Sequence, residues 1–368
     1  MCALYIGLMS GTSMDAVDAA LCEFDGGEFR KLNATHTVPY EAALRERLLR
    51  LQRRDASLLL REFAELDQGV AQTFTAAALG VIKSADIIAD QVTAIGSHGQ
   101  TVFHDPLDAG SSLQLGNPSH ICALTGITTV ADFRRKDIAL GGHGAPLVPA
   151  FHQALFASLK EARCVVNIGG IANITVLPED GAPVRGFDTG PGNGLMDEWA
   201  QRHLGQAYDD DGAFAASGQL HDGLLAALLA EPYFAQPPPK STGRGEFHLD
   251  WAEKRYPALA QLAPADVQRT LSELTARSIA DAIQRQAPAT RRLIVCGGGA
   301  RNGFLMRRLA ELSTWPAEVS DDYGLPHGWV EAAAFAWLAM RTMNGLPGNL
   351  PAVTGASAAS VLGGIFRA

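Results

Sequence analysis

The chain opens on the apolar run ALYIGLM (3–9), turns through the small residues SGTSM (10–14) and returns through VDAALCEF (17–24). Short apolar runs bounded by turn residues predict buried strands, so the opening reads strand–turn–strand. Helices are predicted over 41–53 and 57–83; the first carries Leu44, Leu48 and Leu51 at helical spacing with arginines between them. A strand near 92–97 runs into the polar turn SHGQ (97–100), and Ser119, after Asn117-Pro118, is the predicted N-cap of a short helix. Residues 131–149 (ADFRRKDIALGGHGAPLVP) are dense in charge, Gly and Pro. They predict a long ordered loop, which in a compact protein is more often functional than idle.

From residue 163 the opening pattern recurs. The strand RCVVNI is followed by Gly169-Gly170 and then by IANITVL as a return strand. A strand at 184–188 (VRGFD) meets TGPGNG (189–194), and a helix begins near Leu195. A proline-rich loop (237–247) precedes a helix over 264–286, with Pro264 in its first turn and Val267, Leu271, Leu274 and Ile279 along one stripe. The strand RLIVCGGG (292–299) leads into a helix at 302–312, and a last helix spans 329–343. Repetition of one hairpin pattern predicts an α/β protein of two lobes with a duplicated core and a cleft between them, divided as 1–160 and 161–368.

Composition agrees with that plan. At 368 residues the chain exceeds one ordinary core, and 47% apolar with 19% charged residues describes a well-buried globular protein. The formal net charge of −9 repels nucleic-acid phosphates and argues against a nucleic-acid partner. Cys2, Cys22, Cys122, Cys164 and Cys296 form no CxxC pair, and three of them lie in apolar runs. Buried, reduced thiols are the expectation, and with them a cytoplasmic protein. The N-terminus shows no basic segment leading into a long apolar stretch, and no apolar run is long enough for a membrane span. His98 and His104 have no zinc-type spacing.

Three glycine turns carry the candidate chemistry: Ser10-Gly11-Thr12-Ser13, Gly169-Gly170, and Gly297-Gly298-Gly299 with Asn302 as a helix cap. Glycine lets backbone N–H groups approach a phosphate, and a helix N-terminus adds a favourable dipole. Each turn alone is more often a plain structural corner. No GKS or GKT follows any of them, and GGGARN lacks the spaced glycines of a dinucleotide fingerprint. Two matched hairpins plus a later glycine turn resemble the ATPase arrangement of actin, sugar kinases and Hsp70, which has a ribonuclease H-like core.

The blocks IGLMSGTSMDAVDAALCEFDG, GSHGQTVFHDP, SLQLGNPSHIC, ADFRRKDIALGGHGAPLVP, VVNIGGIANIT, GFDTGPGN, PKSTGR, CGGGARN and GWVEAAAFAWLA cover nearly the whole chain in order. Together they resemble the anhydro-N-acetylmuramic acid kinases. That family phosphorylates 1,6-anhydro-N-acetylmuramic acid with ATP during recycling of cell-wall fragments, and opens the anhydro bridge with water in the same reaction. The resemblance implies ATP and Mg²⁺, with the nucleotide held by Gly11, Thr12, Ser13, Met14, Asp15, Ala16, Val17, Asp18, Gly169, Gly170, Asn173, Gly297, Gly298 and Gly299. General sugar kinases often carry an Asp just before the first glycine turn; here Met9-Ser10 stand there, so no protein ligand of the metal is named. The resemblance makes Asp188 of GFDTGPGN the base that activates water. Arg134 or Arg135 is the expected partner of the lactyl carboxylate, and Glu331, His98 and Gln100 those of the sugar. On residue type alone, Asp188 reads equally well as a turn residue, Glu331 as a first-turn Glu, the arginines as a solvated pair, and His98 and Gln100 as turn-ordering groups. The stretch Lys240–Arg244 stays without a role. The rival readings are another small-molecule kinase of this fold, or a nucleotide-gated protein like Hsp70 or actin. A homodimer is the commonest assembly for such an enzyme.

Overall fold

The computed structural model describes residues 2–11, 13–51, 56–238, 240–243 and 245–368; Thr12, expected at the nucleotide, lies outside the described residues. The chain forms two compact units, Met1–Leu155 with Trp329–Ala368, and Phe156–Gly328.

In the first unit a six-stranded sheet runs in the order Gly364–Phe366, Thr129–Ala131, Val92–Ser97, Cys2–Met9, Ala16–Asp25, Glu28–Pro39. Cys2–Met9 pairs antiparallel with Ala16–Asp25 and parallel with Val92–Ser97. Tyr5, Ile6 and Leu8 are all buried, as a strand covered on both faces requires. Ile6 and Leu8 join the helix Leu60–Ser84 through its Leu66, Val70, Phe74 and Val81 stripe. Successive side chains leave a strand on opposite faces, so Gly7 points the other way. There the helix Val330–Met343 lies directly on the backbone: a methyl at Gly7 would come within 1.8 Å of the Ala332 carbonyl oxygen, and one at Gly96 within 2.0 Å of that of Phe335.

This seating corrects the expected division at 160/161. Residues Trp329–Ala368 belong to the first unit, because the last helix is fitted to Gly7 and Gly96 and the last strand pairs with Thr129–Ala131. The apolar run of this last helix does not say which unit it packs against, so a linear reading places it with its sequence neighbours.

The second unit carries a five-stranded sheet in the order Arg185–Pro191, Ile171–Leu177, Arg163–Ile168, Arg292–Cys296, Ala317–Val319. Counted along the chain within each unit's core, both sheets run third, second, first, fourth, fifth, with the first three strands antiparallel and the rest parallel. The duplication expected from one hairpin thus extends to five strands. The helix Pro264–Gln286 has the bounds that its apolar stripe predicts, with Val267, Leu271, Leu274 and Ile279 in the core. Its buried Glu273 is held by Arg277 at 2.7 Å and Arg308 at 2.9 Å.

Several local expectations shift. Asn117, not Ser119, caps the helix Pro118–Thr125: its Oδ1 accepts from the N–H groups of Ser119 (3.0 Å) and His120 (3.2 Å). Pro118 takes the first helical position, so the cap must precede it. The strand Arg185–Pro191 continues past Asp188 through a bulge at Asp188/Gly190, and Arg292–Cys296 stops before the glycines because Gly297 turns at φ +82°. The long loop contains a short helix, Arg135–Ala139.

Candidate functional site

In the first unit, the turn after Cys2–Met9 is held from two sides. Gln100, fully buried, receives the Ser10 hydroxyl (2.8 Å) and the Tyr40 hydroxyl (3.3 Å) on Oε1 and donates from Nε2 to the Gly11 carbonyl (3.3 Å). Gln100 therefore orders the turn. From the other side Arg45 donates to the carbonyls of Ser13 (3.2 Å) and Met14 (3.0 Å) and pairs with Asp15 at 2.6 Å. Met14 takes the left-handed region at φ +52° and sends its side chain into the core, as does Val17. These two present only backbone to any ligand. Ala16 lies in the return strand, and Asp18 Oδ1 accepts from Thr37 Oγ1 at 2.7 Å.

Expected sugar contacts meet in the same unit. His98 follows Val92–Ser97, and its ring packs 4.6 Å from that of Phe335. Arg134 places Nη2 2.8 Å from His98 Nε2 and donates from Nη1 to the Gly144 carbonyl (2.7 Å). An arginine only donates, so His98 Nε2 accepts and its proton sits on Nδ1. Burial and then the Arg134 charge hold the His98 imidazole well below its ordinary range, so it is neutral. Burial lowers the Arg134 guanidinium to about 10, against the opposing pull of Glu331 and then Asp137. Glu331, in the first turn of Val330–Met343, is thus electrostatically coupled to Arg134. Asp137 fixes the loop, accepting from the Gly144 N–H (2.8 Å), Asn349 Nδ2 (2.6 Å) and the Thr354 hydroxyl (2.8 Å). Arg135 is exposed and directed elsewhere, donating to the Ser112 carbonyl (3.2 Å). Arg134→Leu should raise the His98 titration midpoint followed by imidazole NMR; an unmoved midpoint would contradict the contact.

In the second unit, the two remaining glycine turns come together. The Gly169 carbonyl accepts from Asn193 N–H (2.7 Å), and that of Gly170 from Gly192 (3.0 Å) and Gly194 (3.1 Å). A methyl on Gly192 would sit 2.2 Å from the Gly169 oxygen, and one on Gly299 2.4 Å from Ile168 Cγ2. Gly298 faces Asn193 and borders a pocket of about 190 Å³ with Asp197, Tyr208, Asp211 and Arg301. Asn302 Oδ1 caps the helix Gly303–Leu312 by accepting from Leu305 N–H (2.9 Å).

Asp188 stands at the bulge, opposite Asn173 on the neighbouring strand. Its Oδ2 accepts from Thr242 N–H at 2.9 Å. Its own N–H donates to the Lys240 carbonyl (3.2 Å), and its carbonyl accepts from the Tyr233 hydroxyl (2.8 Å). Burial raises the carboxyl to about 6, overcoming the Thr242 N–H and the Lys240 ammonium, which both pull it down. The surroundings of Asp188 are not legible in the sequence, where the stretch Lys240–Arg244 has no assigned role; its compact PKSTGR composition is the one signal it offers.

Two units of matched strand order, each built on a glycine-cornered hairpin, define an α/β actin-like ATPase fold. The solved activator of 2-hydroxyisocaproyl-CoA dehydratase from Clostridium difficile, with bound ADPNP, is similar over 93% of this chain and 96% of its own, at a TM-score of 0.51 and 12% identity. Component A of the Acidaminococcus fermentans (R)-2-hydroxyglutaryl-CoA dehydratase is similar at a TM-score of 0.50 and 11% identity, covering 91% and 98%. At such identities the likeness is one of fold. Residues 3–368 match the family model for anhydro-N-acetylmuramic acid kinase, and the chain belongs to that family. Anhydro-N-acetylmuramic acid kinases of Xanthomonas campestris pv. campestris (strain 8004) and Bordetella parapertussis are 51% and 52% identical to it, over 99% of this chain and 97% and 96% of theirs.

Proposed function

We propose that this kinase opens 1,6-anhydro-N-acetylmuramic acid with water and phosphorylates O6 in the same turnover, giving N-acetylmuramic acid 6-phosphate and ADP. The observation that carries the reading is Asp188: a carboxylate oriented by a backbone N–H and desolvated enough to have a raised proton affinity, beside the loop that seats the Gly169-Gly170 turn. Asp188 takes a proton from water as the water oxygen bonds to C1. The C1–O6 bond breaks, its electron pair staying on O6. O6 attacks the γ-phosphoryl of ATP, the bond to ADP breaks, and Asp188 releases its proton to solvent.

The sugar is assigned to His98, Arg134 and Glu331, with Arg134 the carboxylate partner because its guanidinium is the one aimed into this cluster; Arg135, directed to Ser112, and Gln100, which orders the turn, are not assigned to it. The hydroxyls and backbone of residues 11–18, the hairpin at Gly169, Gly170 and Asn173, and the turn Gly297–Gly299 are assigned to ATP, the pocket at Gly298 taking the adenosine. The close packing at Gly297 and Gly299, where a methyl would meet Asn167 or Ile168 at 2.4 Å, fits this turn against the strand that leads into Gly169-Gly170. Mg²⁺ fits as an ion carried on the triphosphate, keeping waters of its own. Among the described residues no three His, Cys, Asp or Glu side chains cluster, and a phosphate-held ion needs no such cage. The free buried thiols Cys22, Cys122, Cys164 and Cys296 support a reducing, cytoplasmic setting. No described helix is long and apolar enough to cross a membrane. We assign the small-molecule role to a homodimer, checked by sedimentation.

Turnover of ATP and the anhydro sugar in ¹⁸O-water tests the chemistry by mass spectrometry. Label at C1 of the phosphorylated product is expected. A phosphorylated product without that label would reject hydrolytic opening.

A further inference from the structure

We propose that Lys240, Thr242 and Tyr233 are positioning residues that aim Asp188, so that its Oδ2 is the anchored oxygen and Oδ1 the one that receives the proton from water. This rests on the reading of Asp188 as the base. Three contacts tie the residue on three sides: Thr242 N–H to Oδ2, Asp188 N–H to the Lys240 carbonyl, and the Tyr233 hydroxyl to the Asp188 carbonyl. Among the described residues Oδ1 accepts no hydrogen bond, so the lone pairs of that oxygen are left for water.

Lys240 reaches the same end from a distance. Its Nζ donates to the Tyr233 carbonyl (3.0 Å) and lies 4.4 Å from the centre of the Tyr233 ring. The ammonium is therefore stored on the aromatic face, close enough to favour the carboxylate and not bonded to it. A direct Lys–Asp bond would fix the carboxylate more firmly but would occupy its proton-accepting oxygen. Tyr233 also packs against Phe247, which stacks on Phe234, so the hydroxyl bonded to the Asp188 carbonyl comes from an aromatic cluster. The cluster is close-fitted: a methyl on Gly190 would meet Phe234 Cε1 at 2.6 Å.

Among the described residues, the charged groups around Asp188 are few. Lys240 favours its ionised form, while Glu246, bonded to the Thr242 hydroxyl, acts on the Tyr233 phenol. On the helix Pro264–Gln286, Arg285 donates to the Phe234 carbonyl (3.1 Å) and opposes the Lys240 charge. The neighbouring strand offers Asn173, which is uncharged. Of these, Lys240 is the one whose charge directly supports the base.

The test compares Lys240→Met and Lys240→Arg through kcat and KM against pH, with thermal melting to confirm folding. In Lys240→Met the acid limb should move up by about one pH unit, the lower end of what a neighbouring unlike charge does. Activity at pH 6.5 then falls about threefold, while KM and the plateau near pH 8.5 hold within about twofold. Lys240→Arg should restore the limb. A folded methionine variant with an unmoved limb, or with equal loss at every pH, overturns the proposal. Should that variant not fold, Lys240→Gln, which keeps a donor for the Tyr233 carbonyl, carries the same expectation. Failure of both to fold would show a structural residue and also overturn it. Asp188→Asn separates the two readings: full activity there removes the base itself, whereas its inactivity beside an unmoved Lys240→Met limb removes only this inference.

Discussion

Asp188→Asn should lower kcat/KM for the anhydro sugar by about 10²–10⁴-fold, the usual contribution of a positioned general base. Asparagine keeps the shape and an oxygen for the Thr242 N–H, and loses only the ability to take a proton. The wild-type rate should fall as pH drops through about 6, where the buried carboxyl becomes protonated and can no longer accept. Stability should move in the opposite sense. An acid whose folded pKa is raised above the ordinary 3.8 stabilises the fold while protonated, and that contribution is lost as pH rises through about 6. At pH 7.5 the enzyme thus holds a charged, desolvated carboxylate at a cost on the order of 1–3 kcal/mol. The asparagine variant should melt higher than wild type at pH 7.5 and show no such gain at pH 4. An inactive variant that is also less stable at pH 7.5 would assign Asp188 to structure, and an active one would end its role as base.

How much of this was legible in the sequence depends on whether the signal was local. Both hairpins, the helix Pro264–Gln286 and the turn at Gly297 follow from apolar runs, a helical stripe and glycines, because each is fixed by residues adjacent in the chain. The strand Glu28–Pro39 was not visible, because it is an edge strand of alternating half-exposed residues with little apolar content. The strands Gln100–Asp105 and Ser111–Leu115 hid for a similar reason: they form a separate two-stranded sheet with several polar side chains. Site residues were legible one at a time, their partnerships not. Nothing in SHGQ announces that Gln100 bonds to Ser10 and Gly11, or that Arg134 lies on His98, 36 residues away. Lys240 carries no sequence signal of a phosphate loop, since no strand precedes it. Its importance comes from tertiary contacts with Tyr233 and Asp188.

The same dependence on distant partners makes Gly7→Ala the most damaging single methyl we expect. Its Cβ would lie 1.8 Å from the Ala332 oxygen and 2.6 Å from the Ala336 nitrogen. Both are backbone atoms of a hydrogen-bonded helix, so neither a rotamer change nor a flexible tip can relieve the overlap. The helix must leave the sheet. Overpacking commonly costs about 1–3 kcal/mol, and a backbone collision belongs at or above the top of that range. A fall in Tm of roughly 6–12 °C should follow. Activity should suffer as well, because the displaced helix carries Glu331 in its first turn and Phe335 against the His98 ring. Gly11→Ala supplies the contrast: among the described residues its added methyl meets nothing within 4 Å, so melting should stay within about 1 °C of wild type while the KM for ATP rises if the turn approaches phosphate. Gly96→Ala should repeat the Gly7 effect against the Phe335 carbonyl, and the double variant should fall short of the sum because both methyls push on one helix. A Gly7→Ala protein melting like wild type would mean that the last helix does not rest on the first strand, and the placement of Glu331 beside Arg134 would go with it.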